Sequence, residues 1–457
     1  MSAFTAAEPT ATTTDQISLY RAIWRWHFFA GLLVIPFMLN LAITGSLYLF
    51  KNEIDTIFYA HRHIVADTGA MLTPQQIVDA AAAAMPGAKA TSYREAPAGD
   101  RSAAVTLSKG GQSTVVYIDP HNGTVLDSVG AKQDFGWIVR RIHSLDYFGT
   151  WANRIIEIVG GFALVLVVTG LYLWWPRKQT GGVVSVRGTP SRRVFWRDLH
   201  AVTGAAAGLL IFFLSLSGMP WSGYWGANVK GWLAAHDLGF PTALWDEVPK
   251  STKVTDDILP APGWIVEKAP VPLSTPAAAQ PAGPIGIDKA VEIAKGLGMA
   301  PGFALAIPGD KTGVYTAALY PADLADERTI HIDQYSGKPL VDLSFNQYPA
   351  LGRAIEWGIN VHLGQEWGLF NQLLMLATCL AIVLSCVTAV VMWWKRRPAG
   401  RLGVPPMPPR KSVYIGLWLI VIAFAAAFPL TGLAIVAMLL LDQLLVRFVP
   451  PLRCFLS

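Results

Sequence analysis

Residues 141–178 read RIHSLDYFGTWANRIIEIVGGFALVLVVTGLYLWWPRK. The later part, Ile155 to Trp175, is almost wholly apolar and long enough to cross a bilayer core of roughly 30 Å. A histidine stands before the span, and a Trp-Trp pair with basic residues closes it. The plan recurs over residues 361–397, VHLGQEWGLFNQLLMLATCLAIVLSCVTAVVMWWKRR. In both copies 31 positions separate the histidine from the first Trp of the pair (His143 to Trp174, His362 to Trp393). Gly149 and Gly368 each lie six positions after their histidine, and Thr169 and Thr388 each lie 26 after. Four features in register mark an internal duplication. It reaches the earlier spans as well, where His27 and Gly31 are answered by His200 and Gly204, and Gly45 and Gly218 each follow their histidine by 18.

Around these stretches the composition is that of an integral membrane protein. Of 457 residues, 53% are hydrophobic and only 15% charged, with several apolar runs of spanning length. The net charge of +5 is a loop bias and gives no sign of nucleic-acid binding. Three cysteines, Cys379, Cys386 and Cys454, are too few for a disulfide framework, and two of them fall inside a span as packing residues.

Taken in order, residues 1–20 read as a disordered cytoplasmic tail and 21–50 as a first, retained transmembrane helix, too long for a cleavable signal. Residues 51–140 form a small extramembrane α+β domain: LTPQQIVDAAAAAM has helical periodicity, and the next stretch alternates and turns at Gly110-Gly111 and Asn122-Gly123. A second span with its lead-in covers 141–176, a basic loop 177–197 and a third span 198–220. A Trp-rich insert and an extended Pro/Ala-rich linker occupy 221–284. A second α+β domain covers 285–360, in which Ile332-Asp333 to Leu340 shadows Ile118-Asp119 to Leu126. The fourth span with its lead-in is 361–395, and a second basic loop 396–411. The apolar stretch 412–447 contains Phe428-Pro429 and reads as a kinked helix or a hairpin, before a tail at 448–457. Residues 176–197 and 395–411 each hold six basic and no acidic residues. The positive-inside rule therefore puts both loops and the N-terminus in the cytoplasm and both α+β domains in the periplasm. The fold class is an α-helical integral membrane protein with two small periplasmic α+β domains. Its two parallel repeats are related by a pseudo-twofold axis along the membrane normal.

This topology sorts the histidines. His27 and His200 begin outward-going helices near the cytoplasmic face, and His143 and His362 precede inward-going helices near the periplasmic face. From His27 to Phe50 is 23 residues, about 34 Å of helix, so pairing is expected within a level and not across it. Two facing neutral imidazoles are natural axial ligands to haem iron. The expected cofactors are two haem b groups, one on His27 and His200, the other on His143 and His362, with Gly31 and Gly204 making room for a flat macrocycle. A single histidine at a helix end is more often an interfacial anchor; four of them in register favour ligation. Zinc fits less well, because no further Cys, Asp or Glu recurs beside them. His61 and His63, on one face of a strand, could bind a metal weakly but read better as a solvated edge. His121 sits in a turn, and His236 and His331 have no repeat partner. The Trp174-Trp175 and Trp393-Trp394 pairs read as an aromatic belt, with electron relay as the sharper alternative. The tryptophans of 221–264 read as belt and packing residues, or as a platform over the outer haem.

The two YIDPHNGTVL and HIDQYSGKPL segments, the WRWHFFAG and RDLHAVTG helix starts, and the RIHSLDYFG and NVHLGQEWG lead-ins together resemble the PepSY-associated transmembrane family. That family includes di-haem inner-membrane reductases of ferric siderophores of the ferrioxamine type. The resemblance implies a bacterial inner-membrane oxidoreductase that reduces a ferric siderophore, hydroxamate type among the candidates, from Fe(III) to Fe(II) at the periplasmic face. With no GxGxxG, P-loop or flavin domain in the chain, a cytoplasmic reductase or quinol must supply the electrons. The alternative is a cofactor-free PepSY-type regulator or inhibitor of a periplasmic partner. A siderophore permease would need a polar path at mid-membrane, and the spans offer almost none.

Overall fold

The computed structural model describes residues 11–177, 181–259, 262–275, 283–406, 408 and 413–448. In chain order the first half contains α1 (Ala11–Leu49), α2 (Lys51–Phe58), α3 (Ala60–His63) and α4 (Pro74–Ala84), then β1 (Lys89–Arg94), β2 (Ala103–Lys109), β3 (Gln112–Ile118) and β4 (Val125–Gly130). It continues with α5 (Phe135–His143), α6 (Thr150–Trp174), α7 (Arg193–Gly218) and α8 (Trp225–Ala235). Next come β5 (Lys250–Val254), α9 (Thr255–Ile258), β6 (Pro270–Pro272), α10 (Ile287–Gly296), β7 (Ala304–Ala306), β8 (Val314–Leu319), β9 (Arg328–Asp333) and β10 (Pro339–Ser344). The last helices are α11 (Ala350–His362), α12 (Leu369–Arg396), α13 (Val413–Ala427) and α14 (Pro429–Phe448). Two compact units result, one of residues 1–46, 141–227 and 373–457, the other of 47–140 and 228–372.

The first unit is helical. Among the described residues four helices are long and apolar enough to cross a membrane: Ser18–Leu49, Thr150–Trp174, Arg193–Trp221 and Leu369–Arg396. The helix α1 begins at Ala11, so the disordered tail expected over 1–20 does not extend past the first ten residues, which lie outside the described part, as do the expected tail residues from 449 on. The TTTDQ segment carries no breaker, and the helix of the span propagates back through it. The C-terminal stretch resolves as a hairpin. A Cβ on Gly432 would collide with Ala425, a residue that one continuous helix would hold about 10 Å away. The Trp225 indole stacks on Phe428 with centroids 5.7 Å apart and donates its N–H to Ala427 O at 2.7 Å, bracing the turn. Glu157, buried in α6, accepts the backbone N–H groups of Tyr224 and Trp225 at 2.9 and 3.2 Å. It thus supplies an acceptor to the free N–H groups at the start of α8. Cys379 and Cys386 are free and buried, as packing residues should be.

The second unit is built on one eight-stranded antiparallel sheet of order β10-β9-β8-β7-β1-β2-β3-β4. The two α+β segments expected as separate domains share it, because β1 pairs with β7 (Ser92 with Ala306, Tyr93 with Leu305, Arg94 with Ala304). Hairpin chemistry appears where Gly110 and Gly111 take φ of 57° and 80° between β2 and β3. The two shadowed segments fold as the same turn. Asp119 N donates to Thr124 O and Gly123 N to Asp119 O; Asp333 N donates to Lys338 O and Gly337 N to Asp333 O. Thr73 caps α4 in a reciprocal box with Gln76. Ile77, Val78 and Ala81 of α4, with Ile287, Ala290, Val291 and Ala294 of α10, bury one face of the sheet.

The insert covers part of the other face. Trp245 is 1% exposed, lies edge-on to His331 of β9 at 6.5 Å and donates its indole N–H to Pro270 O at 2.6 Å. The linker expected to be extended is instead packed over 262–275, where Trp264, Ile265 and Val266 are buried; residues 276–282 lie outside the described part. Three consecutive large apolar side chains find cover here despite the flanking prolines. The helix α11 is seated by a backbone contact, since a Cβ on Gly352 would collide with the carbonyl oxygen of Gly239. Gly352→Ala should therefore cost about 2 kcal/mol or more and lower the melting temperature of the purified protein. Gly231→Ala, where a Cβ meets nothing within 4 Å, should be neutral or stabilising by up to about 1 kcal/mol. Equal melting temperatures for the two variants would refute this seating of α11.

Candidate functional site

His27 of α1 and His200 of α7 face each other, their rings 6.3 Å apart between centroids and at 81°. Each is held through Nδ1. His27 Nδ1 lies 2.9 Å from Thr169 Oγ1, and His200 Nδ1 lies 3.0 Å from Ser385 O and 3.1 Å from Thr388 Oγ1. The roles follow from counting protons. Thr169 spends its one hydroxyl proton on Val165 O at 2.7 Å, and Thr388 spends its own on Leu384 O at 2.7 Å. Both hydroxyls must then accept, so each histidine donates from Nδ1. A neutral imidazole with a proton on Nδ1 keeps its lone pair on Nε2.

His143 repeats the arrangement further along α1. Its Nδ1 is 2.8 Å from Thr44 Oγ1, whose proton goes to Asn40 O at 2.5 Å. Asn40 Nδ2 also donates to Ile142 O at 3.1 Å. A Cβ on Gly45 would touch His143 Cε1 at 3.6 Å, which places the ring against the helix backbone. Thr44 is 17 residues beyond His27, about 26 Å along the helix. The two levels are therefore distinct, though closer than the 34 Å expected, because His143 packs inside the end of α1 and not beyond it. His362 is the last residue of α11, in the other unit. Two positions after each of these histidines the backbone turns left-handed, at Leu145 (φ 57°) and Gly364 (φ 76°).

At the His27 and His200 end the basic loops fold back onto the helices. Trp174 donates its indole N–H to Val183 O and Trp393 to Leu402 O, both nine residues onward and both at 2.8 Å. Arg187 and Arg197 bind the buried carboxylate of Asp198, two residues before His200. Arg25, two before His27, donates to Pro405 O at 2.5 Å. The first Trp of each pair is thus a loop clamp, while Trp175 and Trp394 are exposed.

The donor set suits one kind of group better than another. Two imidazole nitrogens each about 2.0 Å from one metal ion put their ring centroids roughly 6 Å apart, which matches the observed separation. Among the described residues no group of three or more His, Cys, Asp and Glu side chains could hold a metal ion, so a bare zinc lacks its further ligands. A macrocycle that supplies four nitrogens itself needs only the axial pair. Of the two glycines expected to make room, Gly204 borders open space, whereas a Cβ on Gly31 would reach Leu166 Cδ2 at 3.9 Å.

A family model for the PepSY-associated TM region matches residues 24–396. The chain belongs to the PepSY-associated transmembrane family. No curated protein matches it. The matched stretch of this PepSY-associated protein takes in all four histidines and stops before α13 and α14.

The remaining five histidines all lie in the second unit and are engaged within it. His61 and His63 lie on the short helix α3 and not on a strand, since the chain around them pairs only at Ile64. His63 meets Asp55, and His61 lies 3.5 Å from Asp127. His121 donates to the carbonyls of Gly99 and Ala70 at 2.8 and 3.0 Å, which favours its charged form. His236 donates to Trp232 O, and buried His331 contacts Thr316 across the sheet at 2.8 Å. Sequence reasoning used Thr169 and Thr388 only as register marks; their offset of 26 from His143 and His362 hid their true partners, His27 and His200. Thr169→Val should leave the buried Nδ1–H of His27 unpaired and cost about 1–3 kcal/mol in thermal unfolding. Thr169→Ser, which keeps the hydroxyl, should recover most of that. Equal losses in the two variants would show that only the methyl group matters.

Proposed function

We propose that this protein is a haem b oxidoreductase of the bacterial inner membrane that moves electrons across the bilayer to reduce ferric siderophores at the periplasmic face. The observation that carries the reading is the facing pair His27 and His200, with both Nδ1 protons committed, which leaves the lone pair of each ring on Nε2. A bound haem would store and pass one electron. The chain's own part is to present two neutral nitrogens at a fixed spacing, keep their tautomers, and exclude water with the apolar faces of its helices. The second pair, His143 and His362, is assigned by the sequence register, and His143 supports it by repeating the threonine-held tautomer. Ferric iron bound by hard oxygen donors is held less tightly once reduced, so one electron per iron releases it and no acid, base or nucleophile is required. Electrons would enter at the cytoplasmic face from a reductase or quinol.

Expressed with ample haem, the purified protein should bind two low-spin haems per chain, read by pyridine haemochrome and the optical spectrum with and without dithionite. His27→Ala and His200→Ala should each remove the same haem and leave the other. A haem content near zero in the intact protein, or different residual spectra in the two variants, refutes the pairing. The direction of transfer is tested by stopped-flow oxidation of dithionite-reduced protein with a ferric hydroxamate. His143→Ala should abolish the fast phase and His27→Ala should spare it, because the roughly 30 Å of hydrocarbon between the faces is too far for transfer without a relay.

A further inference from the structure

The second unit buries two carboxylates together. Glu327 is 2% exposed and Glu356 0%. Glu356 Oε1 accepts the backbone N–H of Ile265 at 2.6 Å, and its Oε2 accepts the Tyr320 hydroxyl at 2.9 Å. Glu327 Oε1 accepts the Tyr348 hydroxyl at 2.8 Å, while its Oε2 is buried with no hydrogen-bond partner. The backbone presses close behind, since a Cβ on Gly263 would collide with Glu327 Oε1. The charges facing the pair are Lys230 and Glu267, and these two are ion-paired with each other. Tyr320 and Tyr348 are held neutral by burial and by the carboxylates. Among the described residues no cation is therefore left over to balance two buried carboxylates, and like charges in one low-dielectric site do not both ionise.

We propose that Glu327 and Glu356 form a proton-binding site, which holds a proton at neutral pH with Glu327 as its bearer and which fastens α11 while that proton stays bound. The unpartnered Oε2 is the oxygen whose charge would be least compensated, so Glu327 takes the proton and Glu356, with two donors, carries the charge. Burial and then the neighbouring Glu356 hold Glu327 well above the usual carboxylate range, and burial pushes Glu356 up to about 7. Because both groups bind protons more tightly folded than unfolded, they add stability below the ordinary carboxylate pKa that is lost as pH rises through about 7 and beyond. The site ties three segments, around 263–265, 320–327 and 348–356, so its deprotonation drives these apart and frees α11. A bearing on His362, six residues further along that helix, rests on the haem reading; the proton site does not.

The test is an infrared pH titration of the whole purified protein, joined to hydrogen exchange of residues 350–362. A protonated-carboxyl band should be present at neutral pH and missing in Glu327→Gln. Exchange protection of 350–362 should fall roughly tenfold or more between about pH 6 and about pH 9 in the wild type and much less in Glu327→Gln. Absence of the band at neutral pH, or the same pH dependence in the variant, overturns the proposal. If Glu327→Gln does not fold, Tyr348→Phe, which deletes the hydroxyl that favours the ionised form of Glu327, should move the band's loss to higher pH. No movement overturns the proposal equally. Haem content plays no part in either readout, so this result and that for the His27 and His200 pair stand apart.

Discussion

Thr169 has one hydroxyl proton and gives it to its own helix; from that commitment the character of the site follows. Inside an apolar span no water is at hand to accept the proton instead, so the backbone carbonyl keeps it and the hydroxyl oxygen can only accept. His27 has one way to satisfy that oxygen. Thr388 and Thr44 impose the same choice on His200 and His143. A carboxylate could also fix a histidine tautomer, as it commonly does around bound metals, but it would bring a formal charge into the hydrocarbon region at a cost of several kcal/mol. A hydroxyl sets the ring without that cost. The aromatic and charged closures at the loop end, from Trp174, Trp393, Arg25 and Asp198, then hold the helices whose spacing the two rings require.

The second unit solves a different problem with similar economy. Each α+β segment alone offers four strands, the first of them (β1 or β7) with nothing to pair with on its outer side. Pairing β1 with β7 satisfies both and brings α4 and α10 onto a common face, where Gln75 N donates to Asp288 Oδ1 at 2.8 Å. The halves then differ by what covers the opposite face. Five of the six residues of β9 are buried because Trp245 and the packed 262–275 segment lie over that end. In β3 the first four residues stay at least partly open. Trp245 and Trp264 of the insert are thus core material, as their size favours, while Trp232 is half exposed.

Much of this was legible in the residues. The spanning helices announce themselves by unbroken apolar length, the β2–β3 hairpin by Gly110-Gly111, and the α4 start by Thr73-Pro74 with Gln76. The facing of His27 and His200 came from counting spans. What stayed hidden has physical causes. The strand β7 is three residues of Ala-Leu-Ala, and β1 reads Lys-Ala-Thr-Ser-Tyr-Arg, so neither shows an alternation long enough to register. Both exist because a neighbour supplies the ladder. The Trp174 clamp looked like a belt residue because an indole at a membrane boundary satisfies either description until its N–H is traced. His61 and His63 suggested a strand by their spacing of two, yet a single helical turn places them equally well. For Glu327 and Glu356 no local signal was available: they meet only after three segments distant in sequence have packed.

The β1–β7 seam bears on how such a chain can be made. Tyr93 and Leu305 are partners in one ladder although they are 212 positions apart, and between them the chain passes twice through the run of apolar helices. The sheet cannot be completed until both of those helices, α6 and α7, are in place and the later segment has emerged. Until then the first four strands wait with β1 as an open edge, the kind of surface that seeks any other strand. Closing so long a loop is slow, so the unfinished half has to survive meanwhile with α4 packed on one face. The making of two long helices thereby sets the clock for completing the sheet.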